Sequence, residues 1–240
     1  HLKFPYINDP ESVFYELNEK EDKVFNKTLE LITKKLTYTR YTPLRYLKRQ
    51  LTQQEEMSQR GMKGFMRILL VKRLESSFYA FKKSIERFIN YYTKFIDNYN
   101  KGKIYISKRY TEQIFEALEE GESEFIERLI EEKKAEEYKS SEFRKDFILN
   151  LKADLKILQE IQQMWSEIKR DPKLNKLISI LQSKDVLKKN KIILFTESKE
   201  TAEYLGANIL ESLRNDTIVF SGESSAIIRD KVIENFDAKA

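Results

Sequence analysis

Lys191-Ile192-Ile193-Leu194-Phe195-Thr196-Glu197-Ser198-Lys199-Glu200-Thr201-Ala202-Glu203-Tyr204-Leu205 is the stretch that decides the fold. Four apolar residues, Ile192–Phe195, end at a polar turn, Thr196–Ser198. A run that short and that apolar reads as a strand buried on both faces. From Lys199 to Leu213, Ala202, Leu205, Ile209 and Leu213 mark the apolar face of an amphipathic helix. Thr217–Phe220 is a second apolar run, and Ser221-Gly222-Glu223-Ser224 is a second turn. Ile228, Val232 and Phe236 recur at four-residue steps and predict a last helix. Strand, helix, strand, helix at this spacing predicts a parallel α/β unit. Two strands are too little sheet for an independent domain, so the expected unit is truncated.

Outward from that unit the grammar is helical. Val13–Leu17 reads as an extended entry, and Asn18 with Glu21 as a capping box. The helix that follows holds Val24, Leu29, Leu31, Ile32 and Leu36. Thr42-Pro43 reads as an N-cap and first helical position, with a helix from Pro43 to about Arg60 that Gly61 and Gly64 interrupt. From Phe65 to Asn100 apolar residues recur at helical steps, and Gly102 fits the position just past a helix end. Lys103–Ser107 predicts a short strand or extended link. Two or three helices are expected over Thr111–Tyr138. Ser140 or Ser141 is the expected cap of a long helix whose buried stripe is Phe143, Phe147, Leu151, Leu155, Leu158, Trp165 and Ile168. Asp171-Pro172 starts another helix, with Leu174, Leu177, Ile178 and Leu181. The expected fold class is mostly α with a truncated α/β unit.

Composition narrows the chemistry. The chain has 240 residues, 40% of them hydrophobic and 35% charged, with six Gly and four Pro. That excludes collagen-like and low-complexity classes. It has no Cys, and its single His is His1. Disulfides, thiolate catalysis, Ser-His-Asp triads and Cys- or His-ligated metal sites are therefore out. No catalytic residue and no metal-ligand set is expected. The absence of Cys fits a reducing interior, and no apolar run approaches membrane-spanning length. A cytoplasmic location without membrane contact is expected. A chain that opens His-Leu-Lys without a Met is expected to be a piece of a longer protein.

The net charge of +5 hides an asymmetry. Lys34–Arg109 carries 19 Lys/Arg against 5 Asp/Glu, and Thr111–Glu142 carries 12 Asp/Glu against 4 Lys/Arg. The basic block interleaves Tyr38, Tyr41, Tyr46, Phe65, Phe78, Tyr79, Phe81, Tyr91 and Tyr92. Two readings stand. The block suits a nucleic-acid backbone, with the aromatics as a stacking surface. Or the cations are solvated helix faces and the aromatics are core. The acidic block reads as a solvated arm or as a partner for the basic one.

In an open parallel sheet, ligands sit beyond the carboxyl ends of the strands. Thr196–Ser198 and Ser221–Ser225 fall on that edge and open helices. Hydroxyls at Thr196, Ser198, Ser221 and Ser224 could donate to a phosphate, and Ser198 and Ser224 serve equally as helix caps. Glu197 and Glu223 stand in the same turns and repel phosphate. Arg229 is read as a surface residue on spacing alone. No Gly-rich phosphate loop with its Lys-Ser/Thr is present. On its residues alone, the unit is a binding module or part of a larger machine.

The segment Met66-Arg67-Ile68-Leu69-Leu70-Val71-Lys72-Arg73-Leu74-Glu75-Ser76-Ser77-Phe78-Tyr79-Ala80-Phe81 carries a resemblance. So do Asp171-Pro172-Lys173-Leu174, Lys191–Leu205, Ser221-Gly222, Arg229 and Asn235-Phe236-Asp237-Ala238. Taken in order, from roughly Gly64 to Ala240, they resemble bacterial superfamily-two helicase-like ATPases of the Swi/Snf (HepA-like) type. The resemblance implies a long-helix insertion followed by a partial RecA-like lobe with parallel strands. Residues 1–60 would be a connector from the first lobe, 61–170 the helical insertion or arm, and 171–240 the start of the second lobe. Thr196, Glu197 and Ser198 would match motif IV and lie near the nucleic acid or the interlobe face. Lys72, Arg73, Glu75, Ser76 and Ser77 would match the family helix, and Ser221, Gly222 and Arg229 the second turn.

The first lobe, with its phosphate loop and Asp-Glu box, and the family's motifs V and VI are not in these residues. The resemblance therefore implies ATP and Mg in the parent protein but none bound here. It implies an ATP-dependent nucleic-acid translocase or helicase whose fragment is inactive alone. Its partners would be DNA sooner than RNA, and the missing first lobe. The alternative is a non-enzymatic helical adaptor, docking a protein partner on the helices of Phe65–Asn100 and Ser141–Arg170. Arg73 and Glu75, two residues apart, do not face each other on a helix, so an ion pair from either must reach another element.

Overall fold

The computed structural model describes residues 9–106, 136–185, 187 and 190–236. The molecule is mostly helical. Its elements are α1 (Glu19–Glu30), α2 (Gln53–Ser76), α3 (Phe78–Asn100), β1 (Lys103–Ile106), β2 (Glu136–Lys139), α4 (Asp146–Ser166), α5 (Pro172–Ser183), α6 (Lys199–Ser212) and α7 (Ala226–Phe236). A wider π turn, Leu31–Lys35, prolongs α1, and short 3-10 turns cover Thr39–Tyr41, Pro43–Tyr46 and Ser140–Glu142.

Helix boundaries follow local chemistry. Asn18 and Glu21 form the expected capping box, with both bonds at 2.9 Å. Thr52 and Glu55 form a second one that starts α2. The helix expected from Pro43 is instead one 3-10 turn. Thr42 does not cap it, because its hydroxyl turns back to donate to the Tyr38 carbonyl at 3.2 Å. Gly61 and Gly64 do not interrupt α2, which runs through both; the helix on either side supplies the hydrogen bonds. The break comes at Ser77, whose extended backbone separates α2 from α3 and whose Oγ caps α3 by accepting from the Ala80 N–H. Gly102, at φ 88°, ends α3, a left-handed conformation that glycine adopts without steric cost.

β1 pairs antiparallel with β2, Ile104 opposite Tyr138. Most of the helices expected over Thr111–Tyr138 lie outside the described residues, but Glu136–Tyr138 belong to strand β2. Alternation buries Ile104 and Ile106 and leaves Lys103 and Tyr105 outside. Neither Ser140 nor Ser141 caps α4; both sit in a 3-10 turn, and α4 begins at Asp146.

The core lies between α1, α2, α3 and α4, and it takes in residues from Leu31 to Ile168. Trp165 of α4 is its anchor. Phe78 and Phe81 of α3 meet the indole edge-on at 4.7 and 5.3 Å, and its Nε1–H donates to Thr28 Oγ1 of α1 at 2.8 Å. Phe147 forms a second anchor, stacked on Phe143 at 4.6 Å and flanked by Tyr46, Phe95 and Tyr99. The apolar stripes of α3 and α4 thus face each other.

Asp154 of α4 is fully buried and organises the α1–α2 connection. Its carboxylate accepts from the N–H groups of Thr37 and Thr39 at 2.8 and 2.9 Å and from the Tyr92 hydroxyl at 3.0 Å. These bonds hold Tyr38 at φ 59°, the left-handed region. The Tyr38 hydroxyl donates to the Ile32 carbonyl at 2.9 Å and is pushed far up by burial and by Asp154.

The C-terminal portion differs from the sequence expectation. Ile192–Phe195 and Thr217–Phe220 form no ladder; among the described residues the one sheet is β1–β2. Two such runs alone bury too little to stabilise a sheet. Ile193, Leu194, Phe195, Ile218 and Phe220 are all exposed, Phe195 at 92%. The helices expected beside them are present as α6 and α7. No helix among the described residues is long and apolar enough to cross a membrane.

Candidate functional site

The α2–α3 residues and the first-turn residues singled out from sequence converge where the end of α2 and start of α3 meet the N-terminus of α6. Arg73 is the centre. It is buried, and its Nη1 donates to Ser198 Oγ and, at 2.7 Å, to Glu200 Oε2. Arg87 reaches the other Glu200 oxygen at 2.6 Å. Ser198 also caps α6, accepting from the Thr201 N–H, and donates to Glu200 Oε2 at 2.9 Å. Burial pushes the Glu200 carboxyl up, and the Arg87 and Arg73 guanidinium charges outweigh it, so its value falls below the ordinary 4.5.

The other matched residues surround this ion cluster. Lys72 stands 3.7 Å from Glu197, an exposed pair. Ser76 and Thr201 hydroxyls lie 3.4 Å apart. The Glu75 carbonyl accepts from Lys173 Nζ at 3.0 Å. Ser77 acts as the α3 cap. Tyr79 stacks flat on Tyr204 at 4.6 Å, and the Tyr204 hydroxyl donates to Asp171 at 3.2 Å. Thr196 is exposed, its hydroxyl 3.5 Å from the Ser198 N–H.

The second turn closes on itself. Ser224 Oγ accepts from the Ser221 N–H at 2.8 Å, and the Ser224 N–H donates to the Ser221 carbonyl at 3.0 Å. Gly222 and Arg229 are exposed. Lys199 of α6 pairs with Glu223, which ties the two turns together. Glu200, Arg87 and Tyr204 complete the cluster. Sequence spacing could not single them out, because each reaches its partner across elements.

This arrangement holds elements together. Both turns carry carboxylates, Glu197 and Glu223, each facing a lysine of the chain itself, and no cluster of metal-ligating side chains occurs among the described residues. Glu197 and Glu223 disfavour a phosphate at either turn.

Neither a family model, nor a curated protein, nor a solved structure matches this chain.

Proposed function

We propose that this chain is a segment of an ATP-driven nucleic-acid translocase or helicase of the Swi/Snf type, working on DNA in the cytoplasm. The observation that carries the reading is the Arg73–Ser198–Glu200 contact. The two segments that bear the resemblance, Met66–Phe81 and Lys191–Leu205, lie 125 positions apart at Arg73 and Ser198, yet they meet side chain to side chain. An accidental likeness in each segment would not require them to touch.

A second observation supports the reading. The beginnings of the two extended segments are joined by Arg214 donating to the Asn190 carbonyl at 3.0 Å, and their ends by Lys199 and Glu223. These contacts are compatible with two segments that run side by side in one sense, which is what the reading requires. ATP and magnesium belong, in this reading, to residues outside this chain, and no nucleotide step is assigned to its side chains. The helical region supplies phosphate contacts, and the Arg73 cluster transmits the orientation of the second lobe to it. The adaptor reading has less to stand on, since α3 and α4 spend their apolar stripes on each other.

Anisotropy of a labelled DNA duplex tests the nucleic-acid contact. Binding should weaken at least tenfold between 50 and 200 mM salt, the signature of released counterions. No binding at low salt, or binding indifferent to salt, would overturn it.

A further inference from the structure

We propose that a basic groove on the helical body, distant in sequence from the matched turns, is the seat of a nucleic-acid phosphodiester backbone. The proposal rests on the nucleic-acid reading above and names the surface responsible. The groove has a volume of about 880 Å³ and lies between the Arg45–Leu51 segment, the first half of α2 and the start of α4. Its lining carries six cations, Arg45, Lys48, Arg49, Arg60, Lys63 and Arg144, against two carboxylates, Glu56 and Asp146.

The cations are presented by a stitched backbone. Leu47 bridges Phe143 antiparallel, the Lys48 N–H donates to the Glu142 carbonyl and the Arg144 N–H to the Tyr46 carbonyl, both at 2.9 Å. Leu47 and Phe143 are buried, so alternation along the extended segment turns Lys48 outward. On α2, Glu56, Arg60 and Lys63 are four and three residues apart and share one helix face.

Pairing divides the six. Arg49 is held bidentate by Glu55 at 2.7 and 2.9 Å, and Arg144 by Asp146 at 3.2 and 3.3 Å. Arg60 lies 3.7 Å from Glu56. Arg45, Lys48 and Lys63 form no ion pair among the described residues. Three cations along one groove with no carboxylate partner among the described residues match a row of backbone phosphates. A small-molecule pocket would be mostly apolar, and this lining is mostly charged, hydroxyl and amide, with Leu47 and Leu51 the aliphatic exceptions.

The test compares two triple variants of equal charge change. One is Arg45→Gln, Lys48→Gln, Lys63→Gln. The other is Lys152→Gln, Lys156→Gln, Lys176→Gln, three exposed lysines on α4 and α5. Anisotropy with a labelled DNA duplex should show the groove triple binding on the order of 10- to 100-fold more weakly at low salt. The slope of log affinity against log salt should drop by about two to three. The control triple should keep the slope.

Equal loss in both triples, or none in the groove triple while the unmodified chain binds, overturns the groove and leaves the nucleic-acid reading standing. Failure of the unmodified chain to bind removes both. Binding to phosphatidylserine vesicles but not to DNA also overturns it. Amine-reactive footprinting of the unmodified chain gives a readout that does not depend on a variant folding. Lys48 and Lys63 should be protected by the duplex and Lys152 and Lys156 not, and the reverse pattern overturns the proposal.

Discussion

Asp154 shows how much one side chain can decide. Its carboxylate satisfies two backbone N–H groups and a phenol inside the core, so its removal leaves Thr37, Thr39 and Tyr92 with unpaired donors. Asp154→Ala should cost about 3 kcal/mol or more, read as a lowered urea midpoint. Asp154→Asn should cost less but still be destabilising, because the amide turns an NH₂ toward a donor. A cost below ~1 kcal/mol for Asp154→Ala would mean the turn around Tyr38 is held by its packing alone. Sequence gave no sign of this residue. An Asp inside a helical stripe looks like a solvated position, and its backbone donors, at Thr37 and Thr39, lie more than a hundred residues away. Arg73 was legible only in part. Its helical spacing showed that any ion pair must leave α2, and the structure supplies Glu200.

At the scale of elements, helices were readable and their interruptions were not. Gly61 and Gly64 looked like a break, and Ser77 looked like helix interior; the reverse holds. Glycine lowers helix propensity without forbidding the helix, whereas Ser77 has an extended backbone and spends its hydroxyl on capping α3. The Thr52–Glu55 capping box was present in the sequence and marks the true start of α2. Because α2 is continuous, Gly61→Ala and Gly64→Ala should each stabilise the molecule by about 0.5–1 kcal/mol, and a Cβ at either meets nothing within 4 Å. Thermal melts check this, and a lowered midpoint in either variant would mean a strained backbone there. Gly206 on α6 should behave oppositely. A Cβ there collides with Val219, so Gly206→Ala should destabilise and should loosen Thr217–Phe220. A lowered midpoint in thermal melts is the expected mark.

At the scale of the whole molecule, one packed helical core carries a C-terminal portion that is thinly attached. Among the described residues beyond α5, Ile209 is the one buried large apolar side chain, while Phe195, Ile227 and Ile233 are well exposed. The strand-like character of Ile192–Phe195 was legible in sequence, but pairing needs neighbours, and periodicity in one segment does not show whether they are in place. What joins this portion to the body is largely the Arg73–Glu200–Arg87 cluster and the Tyr79–Tyr204 stack. The cluster makes the attachment pH-dependent. The Glu200 value is lower in the folded molecule than its ordinary 4.5, so its contribution is complete above that pH. It is lost as the pH falls through the lowered value, where protonation leaves Arg73 and Arg87 facing a neutral group. Glu200→Gln imitates that state at every pH. At neutral pH the variant should be about 2–3 kcal/mol less stable, since two guanidinium groups are left sharing an amide. The gap between variant and unmodified chain in urea melts should narrow below pH 4.5 and close in stronger acid. Glu21, lowered by its hydrogen bond from Arg170, titrates in the same direction but is present in both proteins, so it cancels from the difference. A gap that stays constant from neutral to acid pH would show that Glu200 acts through its shape and not its charge.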